Sequence, residues 1–450
     1  MSLREAIESY HDLLTEELAN ESQAKLDDQQ RQHGIFFGGR PLSSVLRPRF
    51  MTPEQYRFLQ SRVNLLMHAF DKIYHIAIED ETFRKQFGLL DWEEQLVLHD
   101  PGFRDPSPTS RVDTFFVTGR GGLRLTEYNA ETPASPAYND ALEEIFYGLP
   151  VMREFLRHYE VRSLPARHSV LHALTDSYQQ WAGRCEAPRI AILDWREVPS
   201  YSEFVLFADY FKSQGLECII ADPREVEYRN GRLVAGDFHI TLIYKRVLIS
   251  ELIERGGLDQ PVVRAVLDGA VCMVNPFRCK ILHKKASLAV LSDERNVGLF
   301  SAKEQEAIEA HIPWTCRVEE RYALYHGQSI DLVPFILEHR ENLVLKPNDE
   351  YGGKGIILGW ETDPAGWVQA IQTALTEPYI VQERVEIPSE PYPSIIDGRV
   401  EFIDRMLDTN PFVFYGDYVD GCLSRLSTQA LLNVSAGSGS AVATFVVEKR

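Results

Sequence analysis

The feature that most restricts how this 450-residue chain can fold is an alternation of short apolar runs with a helical stretch between positions 185 and 280. Ile190-Ala191-Ile192-Leu193 ends at Asp194. A helical stretch over about 202–214 is broken at Gly215. Leu216 to Ala221 ends at Asp222, and His239 to Tyr244 runs into Lys245-Arg246. Parallel strands need a crossover and a helix supplies it, so this order predicts a parallel α/β layer. Such layers collect ligands beyond the carboxyl ends of their strands, where Asp194, Asp222 and Lys245-Arg246 stand.

Other segments read differently. Residues 3–32 are rich in Glu, Gln, Leu and Ala and read as helical. Thr52-Pro53-Glu54-Gln55 has the N-cap, first-turn proline and capping-box glutamine of a helix start, and Leu59, Val63, Leu66 and Phe70 follow at helical spacing as core. Asp113 to Thr118 and Leu123 to Tyr128, separated by Gly119-Arg120-Gly121-Gly122, predict a hairpin. Residues 140–182 and 284–310 read as helical, and from Asn342 the order is strand, glycine loop, strand, helix, strand.

Composition narrows the function classes. Hydrophobic residues are 44% and charged residues 25%, ordinary for a globular chain of about three domains. Asp plus Glu number 66 against 47 Lys plus Arg, a net charge of −19 that repels nucleic-acid backbones and anionic lipid. The six cysteines include no C-x-x-C pair, so a disulfide scaffold or structural zinc is not expected. Met1 to Asn20 has no apolar leader, and Ala430 to Val447, though uncharged, is too polar for a bilayer. The expected setting is cytoplasmic, with no nucleic-acid or membrane partner.

Four stretches carry candidate chemistry. In Leu343-Val344-Leu345-Lys346-Pro347-Asn348-Asp349-Glu350-Tyr351-Gly352-Gly353-Lys354-Gly355, an apolar strand delivers a lysine and a glycine loop follows. Glycines let backbone N–H groups approach phosphate oxygens while lysines neutralise them, although an ordinary hairpin fits the same residues. Gly353-Lys354 is followed by Gly355, which excludes a Walker A loop. Arg111-Val112-Asp113 precedes Glu127-Tyr128-Asn129; residues 127 and 129 share a strand face, so a carboxylate and an amide oxygen, with Asp113 on the paired strand, suit Mg2+ or simply form a polar outer face. Tyr379-Ile380-Val381-Gln382-Glu383-Arg384-Val385 turns abruptly polar and suits either an adenine contact or an ordinary edge strand. Near the C-terminus stand Arg425, Asn433, Ser435 and the run Ala436 to Ser440, a substrate-closing loop or a turn between strands 430–434 and 442–447.

Jointly these residues resemble the ATP-grasp family. Lys346-Pro347, Gly352-Gly353 and Gln382-Glu383 resemble its nucleotide half, and Arg111-x-Asp113 with Glu127-x-Asn129 its magnesium half. The magnesium half comes first here, which resembles the circularly permuted group that includes eukaryotic-type glutathione synthetase and the synthetase domain of glutathionylspermidine synthase. The resemblance implies an α/β (α+β) protein with a permuted ATP-grasp fold: an N-terminal helical region (1–104), the magnesium-binding part and following helices (105–184), a Rossmann-like substrate domain (185–280), a nucleotide-binding subdomain (281–385) and a C-terminal ATP-grasp part (386–450). It implies ATP and Mg2+ as cofactors, with Lys285 (Lys284 the rival), Lys346, Gly352, Gly353, Gln382, Glu383, Arg384 and Val385 on the nucleotide. Asp113, Glu127, Asn129 and Glu350 would hold the metal. Arg425, Lys354 and Arg111 would face the reacting groups, and Ser135, Arg246, Asn275, Asn433 and Ser435 the substrate. The implied activity is ADP-forming amide synthesis from a small acid and a small amine through an acyl phosphate, on an amino-acid or small-peptide-like substrate. A phosphotransferase or a non-catalytic nucleotide-binding module are the alternatives, and a homodimer is compatible with either. Lys354 stands where glutathione synthetase has small or polar loop residues, and 387–417 has no close match, so the substrate stays open.

Overall fold

The computed structural model describes residues 2–117, 122–350, 352–430 and 439–450. The α/β layer is a parallel sheet in the order Cys272–Val274, Leu242–Lys245, Arg189–Leu193, Glu217–Ala221. Its strands alternate between two cores, as strand geometry demands. Ile190 and Ile192 pack with Phe204, Phe207 and Phe211 of the helix Tyr201–Ser213. Ala191 and Leu193 pack with Ile249, Leu252 and Val263 of the helices Ile249–Gly256 and Pro261–Leu267. Both faces are covered, which is why these strands read as continuous apolar runs. The expected strand His239 to Tyr244 is in fact two elements: Phe238–Ile240 closes an antiparallel three-stranded meander with Val226–Arg229 and Arg232–Ala235, and Leu242–Lys245 enters the parallel sheet. Thr241 joins them, its hydroxyl accepting the Arg189 N–H at 2.8 Å.

A nine-stranded sheet forms the centre of the molecule. The hairpin Thr109–Val117 and Gly122–Asn129 pairs with Asn410–Phe414, and beyond it lie Tyr418–Ser427, Arg399–Leu407 and Ser389–Ile396. Ser440–Lys449 pairs with Tyr418–Ser427, with Arg49–Met51 and with Tyr159–Arg162. Thus strands from within 49–162 and from 389–449 meet in one sheet. The last of these strands interrupts the helical reading of 140–182, which becomes the helices Pro136–Gly148, Pro150–Phe155 and Arg167–Ala182. The 3–32 stretch likewise divides into Leu3–Asp12 and Glu16–Gln32, because Thr15 starts the second helix as its N-cap.

The third layer is antiparallel: Thr315–Arg317, Tyr379–Glu383, Leu343–Pro347, Ile357–Leu358. The helices Leu332–Glu338 and Pro364–Thr376 cover one face, burying Ile336, Trp367 and Ile371 against Leu343, Leu345 and Val381. The helix Pro53–Glu79 starts on the expected capping box and buries Leu59, Val63, Leu66 and Phe70.

Candidate active site

The two sheets that carry the candidate residues open onto one cleft of about 400 Å³. Hairpin register builds its floor: Asp113 lies opposite Glu127 and Arg111 opposite Asn129. Lys346 ends its strand in the facing layer and donates through Nζ to the Thr126 carbonyl at 3.2 Å and to Gln382 Oε1 at 2.7 Å. Among the described residues no carboxylate lies within 4.0 Å of that ammonium. Burial pulls Lys346 down to about 8, against the pull of Glu127, as expected for a desolvated ammonium. Glu127 itself pairs with Lys285 at 2.9 Å. Burial would raise the Glu127 carboxyl, but the Lys285 ammonium prevails and holds it below the usual range.

The cleft divides chemically. The apolar lining on the side of the Lys346 sheet is Val344, Ile356, Leu358, Trp360, Val385 and Ile387, and Gly352 and Gly353 line the same cleft. Gly352, Gly353 and Gly355 all have positive φ (63°, 78° and 71°), and a Cβ on Gly355 would lie 2.6 Å from Pro347 Cγ, so this turn requires glycine. In the middle, Arg425 bridges Asp113 and Asp408, each at 2.7 Å, while Arg111 holds Asp113 at 2.8 Å and donates to the Ala134 carbonyl. At the far end stand Ser135, Tyr138, Asp194, Ser200 and Arg246. Arg246 pairs with Glu203 at 3.5 Å, and Glu203 accepts the Ser135 N–H at 2.7 Å, which holds Ser135 at φ 93°.

The structure therefore gathers Arg111, Asp113, Glu127, Asn129, Ser135, Arg246, Lys346, Gly352, Gly353, Gln382, Glu383, Val385 and Arg425 around one cavity. It gives several of the expected residues other partners or other places. Asp113 was expected on a metal, yet both its oxygens are engaged by Arg111 and Arg425. Glu350 was expected beside Glu127 and Asn129, but its carboxylate turns to Lys354 at 3.2 Å. Lys354 lies off the cleft with its side chain 75% exposed, so a role at the reacting groups does not fit this position. Arg384 stacks on Trp360 of the apolar lining at 4.1 Å. Asn275 is fully committed: its amide nitrogen donates to the Thr109, Ala130 and Glu131 carbonyls and its oxygen accepts from Thr109, so it braces loops instead of touching substrate. Gln382 orients Lys346 and donates to Thr315 Oγ1, and Glu383 accepts from Tyr325 and His326. Lys285, not Lys284, reaches Glu127; Lys284 pairs with Glu93 at 2.7 Å. Asn433 and Ser435 lie outside the described residues.

The donor set fits Mg2+ in a modest form. Glu127 would supply a carboxylate and Asn129 an amide oxygen, and magnesium needs only one or two protein carboxylates beside phosphate oxygens. Sequence reasoning missed Asp408, Trp360 and His283, which also line the cleft. Asp408 and His283 are isolated side chains without a motif.

No protein-family model matches the chain. Its architecture is glutathione synthetase-like: a glutathione synthetase-like effector from Globodera pallida, solved in its apo form, superposes with a TM-score of 0.60 at 13% identity, covering 97% of this chain and 95% of that one. In sequence, the chain is 23% identical over 446 residues to a Frankia casuarinae protein whose curated name is "Putative glutamate--cysteine ligase 2-2". The match covers 92% of this chain and 48% of that protein, so the chain spans about half the length of this curated relative. Among the described residues, no helix is long and apolar enough to cross a membrane.

Proposed function

We propose that the protein is a Mg-ATP-dependent carboxylate–amine ligase of the circularly permuted ATP-grasp type, acting on an amino-acid or small-peptide-like substrate. One observation carries this reading: the ammonium of Lys346, which has no carboxylate partner among the described residues, shares a cleft with Glu127, Asn129 and Arg425. The names of the two relatives, a glutamate–cysteine ligase and a glutathione synthetase-like effector, agree with amide-bond formation.

In this reading ATP would transfer its terminal phosphoryl group to a carboxylate, whose oxide is a poor leaving group, with release of ADP, and an amine would attack the acyl phosphate and expel phosphate. The chain supplies cations and walls. Lys346 and Lys285 hold phosphate oxygens, Glu127 and Asn129 hold the metal, and the apolar lining of Val344, Trp360 and Val385 holds the base. Arg425 and Arg111, kept in place by Asp113 and Asp408, present guanidinium groups where charge accumulates. Phosphoryl transfer depends mainly on such positioning and electrostatics, so no covalent protein nucleophile is required. Ser135 and Arg246, on the substrate side, meet the acid.

Purified protein incubated with Mg-ATP and pools of amino acids, short peptides and polyamines should release ADP only when an acid and an amine are both present. ADP release with an acid alone, accompanied by a stable phosphorylated product, would replace this reading with a phosphotransferase. Nucleotide binding without any ADP release would leave a binding module.

A further inference from the structure

Two chain segments, 346–350 and 279–286, carry Lys346 and Lys285, the lysines proposed for phosphate, and both are tied to a buried charge network. Asp349 turns away from the cleft and accepts Lys280 Nζ on both oxygens, at 2.7 and 2.8 Å, with Lys284 Nζ at 3.0 Å. Lys280 also lies 3.0 Å from Glu131, two residues beyond Asn129, and Lys284 lies 2.7 Å from Glu93. Three carboxylates (Glu93, Glu131, Asp349) face three ammonium groups (Lys245, Lys280, Lys284). This balance leaves the Glu131–His283–Asp349 group no excess negative charge for a metal ion.

The same two segments are also stitched by backbone. Lys285 N–H donates to the Asn348 carbonyl at 2.9 Å, Ala286 N–H to Asn348 Oδ1 at 2.8 Å, and Lys285 Nζ to the Glu350 carbonyl at 2.5 Å. Lys285 thereby reaches Glu127 while its neighbour Lys284 is drawn to the opposite side. We propose that Asp349 is a positioning residue: through Lys280 and Lys284 it sets the placement of Lys285 and of the Gly352–Gly353 turn relative to Glu127 and Asn129. It does not line the cleft and acts through the groups it holds. The functional half of this inference rests on the proposed ATP chemistry; the structural half does not.

Asp349→Asn keeps the shape and removes the charge. Glu93→Gln removes a charge that reaches Lys284 at 2.7 Å and Lys280 at 3.7 Å but, among the described residues, pairs with no group of 346–353. In the full-length protein without nucleotide, amide hydrogen exchange over 346–358 should accelerate in Asp349→Asn and stay near wild type in Glu93→Gln. Mg-ATP affinity, read by titration, should weaken on the order of ten- to hundredfold in Asp349→Asn, as for other supporting residues behind a ligand shell. It should recover in part in Asp349→Glu and move less than threefold in Glu93→Gln. Unchanged exchange in Asp349→Asn, or equal effects of the Asn and Gln variants, overturns the proposal. If Asp349→Asn does not fold, Asp349→Glu takes its place, with a smaller rise in exchange and loss of affinity expected and wild-type values overturning. If wild type binds no Mg-ATP, the proposed function falls, and the exchange comparison still decides the positioning role.

Discussion

Lys346 is held as an ammonium by one carbonyl and one amide oxygen. Burial lowers it from 10.5 to about 8, so the folded state holds this proton less tightly than the unfolded chain does. Two consequences have opposite targets. The contribution of Lys346 to stability is smallest below about 8 and climbs as pH rises toward 10.5, where the unfolded chain also becomes neutral. Phosphate binding needs the proton, so KM for ATP should be flat below about pH 8 and rise above it, approaching about tenfold per pH unit. A profile that stays flat to pH 9.5 would remove Lys346 from the phosphates. Lys346→Met tests the same residue without titration. Turnover should fall by about a hundredfold or more, while the unfolding free energy from urea denaturation should not drop, because a desolvated ammonium without a paired carboxylate is a stability cost. The lysine was legible in the sequence because a strand ended on it before a glycine loop. Its orienting partner Gln382 was legible only as a residue near adenine, since the contact between them crosses two strands.

At the scale of elements, local chemistry transferred directly from sequence to structure. Thr52 accepts the Gln55 N–H at 3.3 Å and Gln55 Oε1 accepts the Thr52 N–H at 2.9 Å. Thr52→Ala should therefore lower stability by about 1 kcal/mol, read as a shifted urea midpoint with unchanged slope. The helix Pro136–Gly148 shows what locality hides. Glu143 points into the core and accepts the Leu164 N–H at 2.6 Å. Burial, with the Asp140 carboxylate second, pushes Glu143 up to about 9. A carboxyl raised in the folded state contributes stability fully present below its ordinary 4.5 and lost as pH climbs through about 9. Glu143→Gln, which mimics the protonated form, should gain on wild type steadily between pH 5 and 9 in thermal melts. A constant difference across that range would show that Glu143 does not titrate there. Nothing in the spacing of 140–182 announced the strand Tyr159–Arg162, because its partner Ser440–Lys449 lies far along the chain.

At the scale of the whole molecule, distant segments are joined by charge as well as by backbone. Arg47 and Arg49, both fully buried, share Glu390 of the strand Ser389–Ile396, and Arg47 stacks over Tyr392 at 4.0 Å. Glu390→Gln would leave two buried guanidinium groups without a counter-charge. It should cost about 3 kcal/mol of unfolding free energy, and a loss below 1 kcal/mol would show the joint to be solvated. What the sequence determined alone were features governed by neighbours in the chain: helix starts, the apolar runs of the parallel layer, the Arg111–Asn129 hairpin pattern and the lysine–glycine strand end. Only the tertiary structure decided which carboxylate faces which cation. It gave Asp113 to two arginines, turned Glu350 toward Lys354, saturated Asn275, and drew Asp408 and Asp349 into roles that single acidic residues do not advertise. Periodicity is set by backbone geometry over a few residues, whereas a carboxylate's choice among cations also depends on approaches between distant segments, as where Arg425 meets Asp113.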